Sequence, residues 1–391
     1  MLKTLIAYTS EIDDTEAAAA EIQRQLAVGL SEQEQGRLKN KVGIIACHYE
    51  FVLSGALKAI CEALPFDVVG TITSAQANRQ ESGTLLLTLM VLASDEAKFV
   101  TALTPSLRER SNEIIAETYA GAAAGQTGRP SLIFSFAPFM LENSGDEYVN
   151  TLTKASGGAP CFGTLAVDDT MDFANCFSLH NGEHYRDRLA LVLIYGNLQP
   201  QFYIATISED KILDKSALIT KSAGHILMEV KDRPVVEYFE NLGWTKASET
   251  QYAMTSLPFM LDYGDGTAPV SKVFIKLTPE KHALCAGVMP EGATMYIGVF
   301  DKEDVLATTG AAADKALAAT GKSGMLIYSC ISRNMTLGAD VTAEMDLIRR
   351  KAGDKIPFMM AYSGGEICPT RVSDGQAVNR FHNNAFILCV F

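Results

Sequence analysis

The chain has 391 residues, of which 48% are hydrophobic and 20% are charged, and these proportions are typical of a globular protein and exclude a disordered one. A chain of this length is too long for a single hydrophobic core of ordinary size, so we predict two domains. A formal net charge of −13 and a pI near 5.0 oppose binding to nucleic acid or to anionic membrane surfaces, so we expect neither as a partner.

The cysteine pattern and the N-terminal stretch indicate the compartment. The eight cysteines form no Cys-x-x-Cys pair, which excludes the ordinary zinc-knuckle and thioredoxin motifs. Several lie in apolar runs, as Cys285 and Cys389 do, which is typical of reduced core cysteines. The N-terminal apolar stretch is too short for a signal peptide, and no apolar run approaches the roughly 18 residues that span a bilayer. We therefore expect a cytoplasmic protein.

One order of predicted elements recurs three times along the chain. Each copy has a continuous apolar run, typical of a strand covered on both faces, and then a helix. A strand led by proline follows, because proline cannot continue a helix, and it ends at a glycine that we expect to permit a turn. A closing strand completes the copy. The apolar runs are residues 42–47, 131–136 and 324–330, and the helices include residues 53–64 and 340–351. The proline-led strands are residues 65–70, 160–163 and 357–364. The closing strands are residues 84–91, 189–195 and 384–390.

A strand and an alanine-rich helix precede the apolar run in the first and third copies. The strands are residues 2–8 and 295–300, and the helices are residues 14–28 and 302–319. Asp13 and Glu16 predict a capping box for the first of these helices. A closing strand that lies next in sequence to the strand it pairs with is expected to run antiparallel to it. The sheets should therefore contain both parallel and antiparallel pairs. The predicted fold class is α/β (α+β), with mixed β-sheets flanked by helices in repeated β-α-β-α-β-loop-β units.

The domain boundary is placed where the second copy closes, which divides the chain into residues 1–198 and 199–391. Beyond it, residues 217–220 and 225–230 predict a hairpin. Pro234 then begins a helix, since proline is favoured in a first helical turn.

Candidate ligand-binding residues follow the strands of the third copy, at strand ends where ligands of open α/β sheets gather. The planar guanidinium of Arg333 can donate two parallel hydrogen bonds to a ligand carboxylate. The neighbouring Cys330 is a candidate nucleophile, although no histidine lies near it in sequence to act as a base. In the alternative interpretation Cys330 packs in the core and Arg333 forms an ion pair with Glu366 or Glu344.

The glycine pair after the last proline-led strand lets backbone N–H groups approach a ligand, and Glu366 can accept a hydrogen bond from an ammonium. The alternative is a tight turn with a solvated or paired glutamate. Because adjacent strands are about 4.8 Å apart, Arg333 and Glu366 are predicted to hold one zwitterion between them. The predicted ligand-binding residues are Cys330, Ser332, Arg333, Gly364, Gly365, Glu366, His382 and Asn383.

Metal sites are not expected. His180 and His184 have the spacing of a helical zinc pair, but the Asn-Gly sequence between them is typical of a hairpin turn. Asp168 and Asp169 would point to opposite faces of a strand and would not share an ion.

The chain resembles the FIST family over nearly its whole length. In the C-terminal half the similar segments are ITKSAGHILMEVKDRPVVEYF at 219–239, GVMPEG at 287–292, SCISR at 329–333, GGEICP at 364–369 and FHNN at 381–384. In the N-terminal half they are VVG at 68–70, FG at 162–163 and AVDD at 166–169. The family often continues its first glycine strand with a Gly-Glu pair, whereas this chain has TSAQ at 73–76, which leaves less acid in any N-terminal pocket.

The resemblance implies a bacterial intracellular sensory module that binds small molecules such as amino acids and does not turn them over. It also implies a signalling partner protein, such as a histidine kinase or a chemoreceptor pathway component. No cofactor is expected, and the alternative is haem, because some members resemble haem-dependent nitric oxide sensors. A second alternative is an enzyme that uses Cys330 as its nucleophile.

Overall fold

The computed structural model of the protein describes residues 1–140, 142–170, 173–213, 216–243, 258–373 and 376–391. The described residues form three α/β units and one β-barrel.

The first unit confirms the predicted order of its elements. These are β1 (Leu2–Thr9), α1 (Thr15–Val28), α2 (Glu32–Arg37), β2 (Asn40–Cys47), α3 (Glu50–Leu53), α4 (Ala56–Glu62), β3 (Val68–Ile72), β4 (Gln76–Asn78), β5 (Ser82–Gly83) and β6 (Leu87–Ser94). The helix cap differs from the prediction: Asp14, not Asp13, caps α1 by accepting a hydrogen bond from the Ala17 backbone N–H. Gly55, with a φ of 84°, divides the helix predicted at 53–64 into α3 and α4.

The second unit repeats this order and contains a tight hairpin. Its elements are β7 (Lys98–Leu103), α5 (Ser111–Ala123), β8 (Leu132–Ala137), α6 (Gly145–Ala155), β9 (Cys161–Leu165), β10 (Ser178–His180), β11 (Glu183–Tyr185) and β12 (Ala190–Tyr195). Asn181 and Gly182 both have positive φ between β10 and β11, as a two-residue hairpin turn requires. The predicted turn between His180 and His184 is therefore confirmed.

The third unit opens with β13 (Gln201–Ala205) and is interrupted by the barrel. The barrel elements are β14 (Ala217–Ala223), β15 (Ile226–Val230), β16 (Arg233–Pro234), α7 (Val235–Asn241), β17 (Pro258–Asp262), β18 (Val270–Leu277), β19 (Ala283–Cys285) and β20 (Thr294–Ile297). Six strands close in the order β14-β20-β17-β18-β19-β15, because β14 also pairs with β15. The predicted hairpin and the helix that follows Pro234 are both confirmed.

The third unit then resumes. Its remaining elements are α8 (Lys302–Leu317), β21 (Met325–Cys330), α9 (Ile331–Thr336), α10 (Ala343–Ala352), β22 (Phe358–Ser363), β23 (Glu366–Ser373), β24 (Gln376–His382) and β25 (Phe386–Val390). Residues 295–300 were predicted to form the opening strand of this unit, and that prediction is wrong. They correspond to β20 of the barrel, and β13 takes the opening position by pairing with β25.

The three units have one common strand order, which confirms the predicted repeat. The sheets run β1-β6-β2-β3, β7-β12-β8-β9 and β13-β25-β21-β22, and each is extended by a hairpin from a different unit. The first unit receives β10–β11, the second receives β23–β24, and the third receives β4–β5. One pair in each unit is parallel, so the sheets are mixed as expected.

Each sheet has two buried faces because alternate strand residues point to opposite sides. In β8, Phe134 and Phe136 enter a central core that also contains Val42 of the first unit and Leu326 of the third. The alternate residues, including Ile133, pack beneath α5 and α6. Burial on both faces explains why the strands appear in the sequence as continuous apolar runs.

Gly364 lies at the predicted turn, in the bend between β22 and β23, but the glycines of the other two proline-led strands do not lie at turns. Gly70 and Gly163 lie within β3 and β9 at equivalent register positions, where a Cβ atom would overlap the carbonyl oxygens of Ile45 and Ser135 respectively. Close backbone approach, and not a turn, therefore requires glycine there. Gly364 follows β22 and is not equivalent to them, since the register places Met360 at their position.

The predicted boundary at residue 198 separates strands that share sheets. Strand β23 pairs with β9, and β22 pairs with β4. The boundary itself stays a prediction. Among the described residues, no helix combines the length and the apolar character needed to cross a membrane.

Candidate functional site

Two neighbouring cavities lie where the carboxyl ends of the central strands of the three units meet. The outer cavity has a volume of about 270 Å³ and is lined from all three units, by residues 74–75, 83–84, 167–170, 173, 331, 334–335, 341–342 and 345. The inner cavity has a volume of about 20 Å³, which is room for about one water molecule. Phe173 and Ile331 line both cavities and separate them.

Most of the predicted site residues surround the inner cavity. Together with Ser363, which was not predicted, they form what we call the inner cluster: Cys330, Ser332, Ser363, Gly364, Gly365, Glu366, His382 and Asn383. Cys330, Ser332, Gly364 and Asn383 line the cavity, and the others lie beside these residues on β22–β24. The structure therefore brings seven of the eight predicted residues together where the chain passes from β22 of the third sheet to β23 and β24 in the sheet of the second unit.

Backbone crossings hold the inner cluster in place. The Gly364 N–H donates to the Leu165 carbonyl at 2.9 Å, and a Cβ atom on Gly364 would come within 2.7 Å of the Ala166 carbonyl oxygen. Gly365 has a φ of 141°, which favours glycine. The glycine pair thus lets the chain pass closely from the third unit to the second.

Burial keeps the titratable groups of the inner cluster neutral. It raises the pKa of the Cys330 thiol to about 12, with the Glu366 carboxyl adding to the rise. Burial also raises the pKa of Glu366 to about 8, although a hydrogen bond from Ser363 opposes the shift. The pKa of His382 falls to about 3 because its imidazole is buried. At neutral pH these groups are predominantly a thiol, a carboxylic acid and a neutral imidazole.

Arg333 does not face Glu366 across a ligand site as predicted. Its guanidinium is fully buried, and its Nε donates to Glu344 Oε1 at 3.0 Å. The other two nitrogens donate to backbone carbonyls, Nη1 to Asn384 at 3.5 Å and Nη2 to Val305 at 2.9 Å, and Nη2 also donates to Thr309 Oγ1. The ion pair with Glu344, which the sequence allows as the structural alternative, is present, and the predicted joint clasp of a zwitterion is wrong.

The outer cavity contains polar atoms that lack partners among the described residues. Asp168 is 2% exposed. Its Oδ2 accepts hydrogen bonds from Thr170 Oγ1 at 2.7 Å and from the Asn175 N–H at 2.9 Å, whereas its Oδ1 is without a partner. The hydroxyl of Ser74, which is 7% exposed, is likewise unpaired within the described chain. Buried polar atoms in this state are expected to bind water or a ligand.

The adjacent acidic residue is in a different setting. Asp169 is 51% exposed at its side chain, and its Oδ2 lies 3.2 Å from His48 Nε2. Asp168 and Asp169 lie in the loop after β9 and not on a strand as predicted, and both line the outer cavity. Within the described residues, no three side chains of the metal-ligating types gather into a candidate site.

The barrel is anchored beside the inner cluster. Lys272 on β18 is fully buried, and its Nζ lies 2.7 Å from Asp146 Oδ2 on α6 and 2.7 Å from the Phe381 carbonyl. Asp146 also accepts a hydrogen bond from the Val288 N–H of the barrel at 2.7 Å. Val273 of the barrel lines the inner cavity, so the barrel covers this end of the units.

The sequence did not identify the outer cavity as a site. Its lining comes from loops of three units, and their meeting depends on the exchanged hairpins. The available signals were the acidic pair at Asp168 and Asp169 and the replacement of the usual family segment by residues 73–76.

Two models of known protein families match the chain and show which family it belongs to. The FIST N domain matches residues 41–233, and the FIST C domain matches residues 235–369. The chain belongs to the FIST family. FIST domains are sensory domains of signal transduction, so a sensory role follows from this membership. No curated protein sequence matches the chain.

Solved structures add only distant likenesses to this FIST protein. A cyanuric acid hydrolase from A. caulinodans is 10% identical with a TM-score of 0.37, and the match covers 100% of this chain and 99% of that one. PurL from T. maritima complexed with ATP is 10% identical with a TM-score of 0.19, covering 100% of this chain and 71% of that one. At these scores neither likeness informs the function.

Proposed function

We propose that this FIST protein is a bacterial cytoplasmic sensor that binds a small molecule, about the size of an amino acid, in the outer cavity. The observation that supports this most is the buried Oδ1 of Asp168, which has no partner among the described residues, in a cavity formed by all three units. A volume of about 270 Å³ is slightly below the range of drug-sized ligand pockets. A ligand there would touch every unit and favour one arrangement of them.

The proposed output is contact with a separate signalling protein, such as a histidine kinase or a chemoreceptor pathway component. The barrel offers a physical link, because its buried Lys272 is tied to Asp146 of the second unit. Nucleic acid and anionic membranes are not proposed as partners, given the net charge of −13.

Binding without turnover is proposed because the inner cluster lacks an activated nucleophile. The thiolate is the reactive form of cysteine, and burial raises the pKa of Cys330 to about 12. Burial lowers the pKa of His382 to about 3, so its imidazole is a weak base. This protein would therefore return its ligand unchanged, which mass spectrometry of the bound and released ligand would test.

No haem is proposed, since histidine is absent from the described lining of both cavities and haem ligation commonly uses an axial histidine. The purified protein should show no Soret band after incubation with haemin. A stoichiometric Soret-absorbing complex would favour the gas-sensor alternative.

A thermal-shift screen of amino acids, amines and related metabolites tests the proposed cavity. A ligand at about 100 times its Kd stabilises the native state by about 2.7 kcal/mol, which corresponds to a rise of several degrees in Tm. Val341→Trp would fill the outer cavity from a position that is 47% exposed, and it should abolish the shift. Val28→Trp, at an 84% exposed position outside the lining, is the matched control and should keep it. A screen without any shift, or one equal in both variants, would contradict the proposal.

A further inference from the structure

We infer that the ligand of the outer cavity is an organic cation, a primary amine on an apolar body, that carries no carboxylate. This inference rests on the proposed function and specifies the chemical class of its ligand.

The charges around the outer cavity have one sign. Asp168 and Asp169 are in its lining, and among the described lining residues there is no lysine, arginine or histidine. Arg333, the cation predicted to receive a ligand carboxylate, donates all three of its nitrogens to protein acceptors. A ligand carboxylate would therefore meet two like charges and no positive partner, which disfavours an anion or a zwitterion.

Asp168 has the geometry of an ammonium acceptor. Thr170 and Asn175 donate hydrogen bonds to one carboxylate oxygen, Oδ2, and these bonds hold the loop in place. The other oxygen, Oδ1, has no partner among the described residues. A buried carboxylate without a positive partner is costly, and a ligand cation removes that cost. An ammonium carries three donors and no acceptor, so it can satisfy Asp168 Oδ1, and the hydroxyl of Ser74 in the same lining is a further acceptor without a partner among the described residues.

The remaining lining is apolar. Ile331, Met335, Val341, Met345 and Phe173 contribute to it. Methionine side chains adapt to irregular apolar shapes, so the cavity suits an alkyl or aryl body attached to the amine.

A metal cation fits the same charges poorly. Calcium requires six to eight oxygen ligands and magnesium requires octahedral geometry, whereas one of the two carboxylates is close to His48 and much of the lining is apolar. An organic cation satisfies the charge and the apolar surface together.

Calorimetry with matched pairs of compounds tests the inference. Each pair contains an amine and its parent amino acid: isoamylamine and leucine, phenethylamine and phenylalanine, tyramine and tyrosine. We expect at least one amine to bind with about tenfold or greater preference over its parent. An amino acid that binds as tightly as its amine, or an anion found by screening that binds in this cavity, would overturn the inference and leave the proposed function standing. If no small molecule binds in the cavity, both fail.

The variant Asp168→Asn separates charge from loop structure. The asparagine oxygen can still accept from Thr170 and Asn175, so the Tm of the unliganded variant should not fall and should rise slightly, while amine affinity falls about tenfold or more, as expected for loss of a charged hydrogen bond. Asp169→Asn is the matched control, and its effect should be smaller because Asp169 is half-exposed and close to His48. Unchanged amine affinity in Asp168→Asn would overturn the inference. If that variant folds poorly, Ser74→Ala must weaken amine binding for the inference to survive.

Discussion

The inner cluster and the outer cavity are neighbours with opposite chemistry. The inner cluster holds the residues of the family motifs, yet its carboxyl and thiol are predominantly neutral at neutral pH and its cavity is about 20 Å³. The outer cavity is about 270 Å³ and is lined by a buried carboxylate, one oxygen of which has no partner in the described part of the chain. Residues of the family motifs thus serve the backbone crossing between units in one region, whereas in the other region Asp168, from the family-like segment 166–169, lines the proposed ligand cavity.

The largest expected effect concerns the buried ion pair between Arg333 and Glu344. Glu344→Ala would leave the Arg333 guanidinium buried without its carboxylate, because both side chains are fully buried. Breaking such a pair costs about 3–5 kcal/mol, to be measured as the free energy of unfolding in urea. Glu183→Ala, which breaks the exposed contact with Lys58, is the control and should cost less than about 1 kcal/mol. Equal costs would show that Arg333 is not part of the scaffold.

The second prediction concerns the pH dependence that Glu366 imposes. Its pKa in the folded protein is about 8, above the usual 4.5, so its contribution to stability is fully present below pH 4.5 and is lost as pH rises through 8. Over this window the slope is up to about 1.4 kcal/mol per pH unit. Glu366→Gln should remove this fall, and denaturation curves at several pH values would detect it. Parallel profiles for the two proteins would mean that Glu366 is ionised in the native state.

A smaller effect of opposite sign is expected in the outer cavity. Asp168→Asn removes a buried charge whose Oδ1 has no partner in the described structure, so the unliganded variant should gain up to about 1 kcal/mol of stability. Denaturation without ligand measures this gain. A loss of several kcal/mol would assign Asp168 to the scaffold and remove the contrast between the two regions.

The smallest effect is expected at Cys330. All eight cysteines are buried, and the pKa of Cys330 is about 12, so a thiol reagent at pH 8 should modify almost none of them in the native protein. The same reagent should modify all eight after unfolding. Rapid native modification that is absent in Cys330→Ser would show that the inner cluster is open and reactive.

The sequence predicted the repeat because strands buried on both faces appear as continuous apolar runs, as at residues 131–136. It could not predict the exchange of hairpins, since β4 and β10 have three residues each and pair with strands of other units. The position of β13 was missed because the barrel separates it from α8, the next element of its unit.

The same reasons limited prediction of the site. Five of the seven candidate residues in the inner cluster gather there because they lie at the ends of the adjacent parallel strands β21 and β22, and the antiparallel pairing of β24 with β23 brings His382 and Asn383 to them. Arg333 was misplaced because its position on α9 turns it toward Glu344, which sequence order alone does not reveal. Asp168 was considered only as a metal ligand, and the loops that complete its cavity come from three distant segments.

A crystal structure of the protein with its tightest-binding amine tests the central claim most directly. We expect the ligand in the outer cavity, with its ammonium within hydrogen-bonding distance of Asp168 Oδ1 and its apolar body against Met335 and Met345. A ligand bound in the inner cluster, or in any pocket without contact to Asp168, would contradict it.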